Sequence, residues 1–188
     1  MSIRKVLRYG EPSLRQPSKE VHKVSKKIAD LVNDLLDTMY AQNGVGLAAP
    51  QIGNNVRVFV IDVSTGKEPL NPIVFINPKI IKKSGAVKSN EGCLSFPEAY
   101  TDVRRYKNIM IKAVNEHGKS FVMEAKDGSL LARAIQHEYD HLDGILFIDH
   151  CINRFETEAI LNKYNLPSID PALLLDEKEL EYELSGND

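Results

Sequence analysis

Residues 137 to 141 read His137-Glu138-Tyr139-Asp140-His141, and no other stretch of the 188-residue chain restricts its fold as tightly. Two histidines four apart reach a common point only if the backbone between them is helical, because one turn then stacks both imidazoles on one face. The helix is marked at both ends. Asp127-Gly128-Ser129 opens it, with Ser129 or Asp127 as cap, and Gly144 closes it. Between them Leu130, Leu131, Ala134, Ile135 and Leu142 recur at helical spacing. The histidines prolong the stripe of Leu130 and Ala134, so both are predicted to face inward. Chance alone puts this five-residue pattern in roughly one such chain per hundred. On the inner face of a helix it predicts a metal site, with Glu138 placed to act as general base on a metal-bound water.

A catalytic metal usually takes three protein ligands and keeps one position for water. A further histidine six residues on would supply the third, but that position is Phe147. Glu156 or Glu158 on a later helix is a second candidate, although neither stands the usual twenty or so residues downstream. His150 is a spare, read first as a surface residue. Upstream, Cys93 lies in Glu91-Gly92-Cys93-Leu94-Ser95-Phe96-Pro97. Its thiolate suits zinc or ferrous iron, and the adjacent glycine permits a close backbone approach. Cys151 reads as an inert core residue. A third run, Gly44-Val45-Gly46-Leu47-Ala48-Ala49-Pro50-Gln51, is small enough to let a ligand or a backbone come near. Gln51 brings an amide donor suited to a developing oxyanion.

Elsewhere the periodicity predicts a helix from about Val24 to Met39, stopped by Asn43-Gly44, and strands at 56–63, 73–76, 109–114 and 121–125. A third helix is predicted over Asn153 to Tyr164, ending before Pro167. This segregated order favours an α+β fold. A hydrophobic content of 43% supports one buried core and excludes wholesale disorder. Charge is unevenly placed. The last twenty residues carry seven acids against Lys178, a charge of −6, so the net −2 leaves +4 on the first 168 residues. The expected organisation is a single domain over 1–165 with an acidic tail at 166–188. Basic residues form no dense cluster, so direct nucleic-acid recognition has no support. No run nears the roughly 18 apolar residues of a membrane span, and the charged amino terminus lacks the middle of a signal peptide. The expectation is a soluble cytoplasmic protein with reduced thiols.

Taken together, the runs Gly44 to Gln51, Glu91 to Ser95 and Gln136 to His141 resemble, in order and spacing, the three signature motifs of the peptide deformylase family. Glu11-Pro12-Ser13-Leu14-Arg15 and Gly144-Ile145-Leu146-Phe147-Ile148-Asp149 extend the likeness over about residues 3 to 150. The resemblance implies antiparallel or mixed strands around a central helix bearing both histidines. It implies Cys93, His137 and His141 as ligands of one divalent metal and Glu138 as the catalytic acid–base. Gln51 and the Leu94 N–H would bind the formyl oxygen, while Val45 and Gly46 would pair with the peptide. Its substrates would be N-formylmethionyl nascent polypeptides, met near the ribosome. The metal implied is ferrous iron (Fe2+), although a Cys-His-His set also accepts zinc, nickel or cobalt. Two positions depart from the pattern. Arg133 stands one turn before His137 where some members have an apolar residue, and His150 follows Asp149 where many have arginine. The rival readings are a zinc endopeptidase using a downstream glutamate and a silent metal- or peptide-binding module.

Overall fold

The predicted strands assemble into one antiparallel meander. The computed structural model describes residues 2–64 and 69–175. Its sheet has the order β1-β2-β3-β4-β5, formed by Gly46–Ala48, Val58–Ile61, Ile73–Cys93, Phe96–Val114 and Ser120–Ala125. Every neighbouring pair is antiparallel, and the one parallel pairing among the described residues is the isolated bridge Lys19–Val56. Three helices complete the α+β fold: α1 (Lys26–Ala41), α2 (Leu130–Leu142) and α3 (Arg154–Lys163).

Strand β2 explains why the sheet lies where it does. Its run Val58-Phe59-Val60-Ile61 is fully buried, so both faces of the sheet must be covered. Side chains alternate across a strand. Phe59 and Ile61 accordingly join Ala132, Ile135 and Leu142 of α2 in one core cluster. Val58 and Val60 join Ile28, Leu31, Leu35 and Met39 of α1 in another. The middle of the sheet is thus pressed between α1 and α2. A third cluster, built on Phe96, Phe147, Ile148 and Leu161, closes the far end of the β3–β4 hairpin under α3.

Helix boundaries follow the sequence signals closely. Ser129 Oγ accepts the Ala132 N–H at the start of α2, and Gly144 beyond its end takes a left-handed conformation (φ 73°). Asn153 caps α3 through the N–H groups of Phe155 and Glu156. The extent of the sheet is the main correction. The strands predicted at 73–76 and 109–114 are only the base of a hairpin that runs unbroken through Lys82-Lys83-Ser84-Gly85 and back. Register shifts between Ile76 and Lys79 and between Ile80 and Lys82 rotate the ribbon out of the core, so its middle carries no apolar alternation. The short strand β1, hidden among small residues, also lacked a β signature.

Residues past α3 turn back onto the domain. Ile169 is buried in the third cluster, Tyr9 Oη donates to the Ser168 carbonyl, and the Leu175 N–H donates to the Asp149 carbonyl. The acidic run from 176 onward lies outside the described residues. Among the described residues no helix is long and apolar enough to cross a membrane.

Phe59 stacks on Phe75 with ring centroids 4.6 Å apart, at the centre of the α2-side core. Phe59→Ala is expected to cost about 3–5 kcal/mol in unfolding free energy, measured by denaturant titration with an unchanged m-value.

Candidate metal centre and active site

Helix α2 and the β3–β4 turn meet at one cluster. The ligand atoms of Cys93, His137 and His141 all lie within 4.8 Å of one another, and Cys93 Sγ is 3.3 Å from His141 Nε2. Cys93 ends β3 immediately before the turn, whereas the histidines rise from the buried face of α2, one turn apart. The two imidazoles are held differently. His137 Nδ1 is 3.0 Å from Glu91 Oε2, which leaves its Nε2 for the cluster. His141 Nδ1 is buried with no protein partner. Burial and the neighbouring His137 push His141 well below its ordinary pKa, so it stands neutral with a lone pair to offer. Burial also opposes a proton on His137, but the hydrogen bonds to Cys93 and Glu91 outweigh it and raise its pKa. One soft sulfur and two nitrogens in this compass suit zinc or a first-row divalent ion.

Behind His137 stands a buried charge network that the sequence did not disclose. Arg105, 2% exposed, forks onto Glu91 through Nε at 3.0 Å and Nη2 at 2.9 Å, and through Nη1 onto Asp140 Oδ2. The same Asp140 oxygen is 2.9 Å from His150 Nε2. Burial disfavours the Glu91 charge, yet Arg105 and His137 hold its carboxyl well below the usual carboxylate range. Glu91 therefore orients and polarises His137 as an ion, the familiar role of a carboxylate behind a ligating histidine. His150, expected at the surface, is instead half-buried on Asp140, outside the ligand cluster.

A cavity of about 440 Å³ opens beside the cluster, lined by residues from β1, the β3–β4 turn and α2. Gln51, Cys93, Leu94, His137 and Glu138 all line it, as do Val45 and Gly46. Glu138 is buried, and its Oε2 has no partner. Burial pushes this carboxyl up to about 7, with Glu91 and Asp140 adding to the rise against His137 and Arg105. Gly46 makes room for it, because a Cβ there would sit 2.5 Å from Glu138 Oε1. The glycine read as access for a ligand is thus required first by the carboxylate. Gln51 is pinned: its Oε1 accepts the Ala48 N–H at 2.9 Å, while Nε2 lies 3.3 Å from Cys93 Sγ and 3.2 Å from Ser95 Oγ. Among the described residues strand β1 pairs only with β2, which leaves its other edge free of strand pairing.

Other sequence candidates fall elsewhere. Glu158 Oε1 accepts the Ile169 N–H, and Glu156 lies in the first turn of α3, so neither joins the cluster. Cys151 is buried in the third core cluster. The outlying segments Glu11–Arg15 and Gly144–Asp149 are tied together, since Arg15 donates twice to Asp149 and Asp149 Oδ2 accepts the Leu146 N–H. Glu91, Ser95, Arg105 and Asp140 were not predicted as site residues. A buried arginine on an alternating strand reads in sequence as an outward one.

A cysteine sulfur, two imidazoles and a buried carboxyl lifted to about 7, gathered beside a cavity of about 440 Å³ on an α+β domain, define a metal-dependent hydrolase. The comparisons with known proteins name its family. The family model described as polypeptide deformylase matches residues 3–157. Peptide deformylase 1 of Clostridium acetobutylicum is 48% identical over 149 residues, spanning 79% of this chain and 95% of its own. Peptide deformylase of Baumannia cicadellinicola is 46% identical over 163 residues, spanning 87% and 95%. Among solved structures, a peptide deformylase from Synechococcus elongatus in complex with actinonin superposes with a TM-score of 0.84 at 38% identity, covering 91% of each chain. One from Legionella pneumophila gives 0.79 at 40% identity, covering 87% and 96%. The chain belongs to the peptide deformylase family, whose function is removal of the formyl group from N-formylmethionyl peptides.

Arg105→Met removes the counter-charge of two buried carboxylates. The expected loss is about 3–5 kcal/mol of stability, read from the shift in denaturation midpoint. Replacement of an exposed lysine such as Lys79 should move that midpoint little.

Proposed function

We propose that this chain is an active peptide deformylase and that its residues divide the reaction as follows. Cys93, His137 and His141 hold one divalent ion, ferrous iron in the first instance. When bound there, such an ion supplies Lewis acidity, lowering the pKa of water and polarising the formyl oxygen. Everything else is done by the protein. Glu138 takes the proton of the attacking water and hands it to the departing methionine nitrogen, so that formate and a free amino terminus are released. A carboxyl whose pKa lies near 7 is matched to both halves of that transfer. The Gln51 amide, already fixed by Ala48, and the Leu94 N–H donate to the oxygen as it becomes anionic. The open edge of β1 at Val45 and Gly46 receives the peptide as an added strand, which reads its backbone and not its sequence.

The observation that carries this reading is the Cys93–His137–His141 cluster standing beside the unpartnered Glu138 carboxylate. The helix bearing both histidines packs centrally against strands of the sheet, in keeping with that assignment. We assign the catalytic unit to 1–165 and the acidic tail to 166–188, of which residues 166–175 pack back onto the domain. The substrates are nascent N-formylmethionyl chains met in the cytoplasm close to the ribosome, and the +4 body is the part that can approach RNA.

The test is formate release from a formyl-methionyl peptide by anaerobically prepared protein, with metal content measured in parallel. Gln51→Leu is expected to lower kcat by about 10²–10³ with metal content intact. Cys93→Ala should lose the metal itself. Glu138→Gln should keep the metal and lose turnover, and a parent-like rate in that variant would overturn the acid–base assignment.

A further inference from the structure

The α2 wall of the cavity is apolar at Leu130 and Ala134 but cationic at Arg133. An apolar methionine side chain has no use for a guanidinium, so this residue needs another explanation. Arg133 Nε donates to the Gly128 carbonyl at 3.1 Å, which fixes the plane of the group. Among the described residues no carboxylate pairs with it, and both terminal nitrogens remain available as donors. Of the acids lining the cavity, Glu91 is already taken by Arg105 and Glu138 is buried at the deep end. Glu98 is exposed across the mouth, on β4. A half-buried, pre-oriented and unpaired guanidinium on a cavity wall is a carboxylate receptor in all but its ligand.

The geometry of an extended peptide says which carboxylate. Alternate residues of a strand share a face and lie about 6.6 Å apart, whereas the residue between them points the other way. Arg133 stands four residues before His137 on α2, a rise of about 6 Å along the same cavity wall. With the first side chain lodged at the cluster end of that wall and the strand running along α2 toward its N-terminus, the third would fall opposite Arg133. We propose that Arg133 is a specificity residue that favours formyl-methionyl peptides with aspartate or glutamate at the third position. This rests on the deformylase reading above and adds a substrate preference to it.

The experiment compares kcat/KM for formyl-Met-Ala-Glu, formyl-Met-Ala-Gln and the isomer formyl-Met-Glu-Ala, using the metal-loaded protein at low ionic strength. The parent is expected to prefer the third-position glutamate over glutamine by about three- to fivefold, the range of a solvent-accessible ion pair, chiefly through KM. The preference should shrink as salt is added. Arg133→Gln should abolish it and Arg133→Lys should retain it, with turnover of the glutamine peptide and circular dichroism reporting that both variants are folded. Equal rates for the glutamate and glutamine peptides in the parent, a preference that survives Arg133→Gln, or a stronger preference for the second-position isomer would each overturn the proposal. Failure to release formate from any of the peptides would overturn the deformylase reading and this proposal with it. Turnover of all three without discrimination would overturn this proposal alone.

Discussion

Arg105 carries a permanent positive charge into an interior that leaves it 2% exposed, and the site is organised around how that charge is met. An ion taken this far from water costs several kcal/mol unless it is fully paired. Glu91 from β3 and Asp140 from α2 do the pairing, so one guanidinium on β4 fixes the distance and rotation between the ribbon and the helix. Because Glu91 also holds His137, the register of the β3–β4 pair is transmitted to the imidazole. Cys93 lies two residues beyond Glu91 on the same strand, past a register shift at Gly92/Cys93 that brings it opposite Phe96 at the start of β4. The cluster is thus built where two elements locked by one buried ion meet, with Cys93 at the β3 end of the turn.

The sequence showed the parts of this arrangement whose chemistry is rare and hid the parts whose chemistry is common. His137, Glu138 and His141 were legible because histidine at helical spacing has few other meanings, and α2 itself was legible from Ser129 and the apolar stripe. Cys93 was only one of several third-ligand candidates until its motif was set beside two others. Arg105 and Asp140 were not legible at all. Charged residues on strands and helices are overwhelmingly solvated, so nothing in a single sequence separates the buried minority. The long ribbon was hidden for a related reason. Its ladder is held by backbone hydrogen bonds and twisted by bulges, and neither leaves a hydrophobic alternation in the side chains. His150 was misplaced because its partner, Asp140, lies ten residues back on α2, and the chain brings His150 to it only after that helix has ended.

The small-residue run from Gly44 to Gln51 shows how one segment answers to fold and site together. Leu47 is fully buried in the α1-side core, and Ala48 in the α2-side core, so β1 cannot slide. Gly46 is then held against the Glu138 carboxylate, and Gln51 closes back on Ala48 through its own side chain. The amide that faces Cys93 is thereby oriented by the residue that anchors the strand. In the proposed role, an oxyanion donor is effective to the extent that it does not have to move when charge develops. Packing at Leu47 and Ala48 supplies that immobility at no cost in side-chain freedom at the cavity itself.

Buried polar atoms without partners are expensive, and native chains keep them few. Four such side-chain atoms occur among the described residues, and two of them, Glu138 Oε2 and His141 Nδ1, lie on one turn of one helix at the candidate site. Satisfying Glu138 with a neighbouring donor would lower its pKa and take away the free oxygen that the proposed proton transfer uses. Exposing it to water would also lower the pKa, by removing the desolvation that lifts it to about 7. The carboxylate can therefore act near neutral pH only if the fold declines to stabilise it, and the surplus must come from elsewhere. The stacked Phe59 and Phe75, and the double-sided burial of β2, are where this chain has that surplus. Stability is concentrated in the apolar middle of the sheet so that it can be forgone one turn along α2.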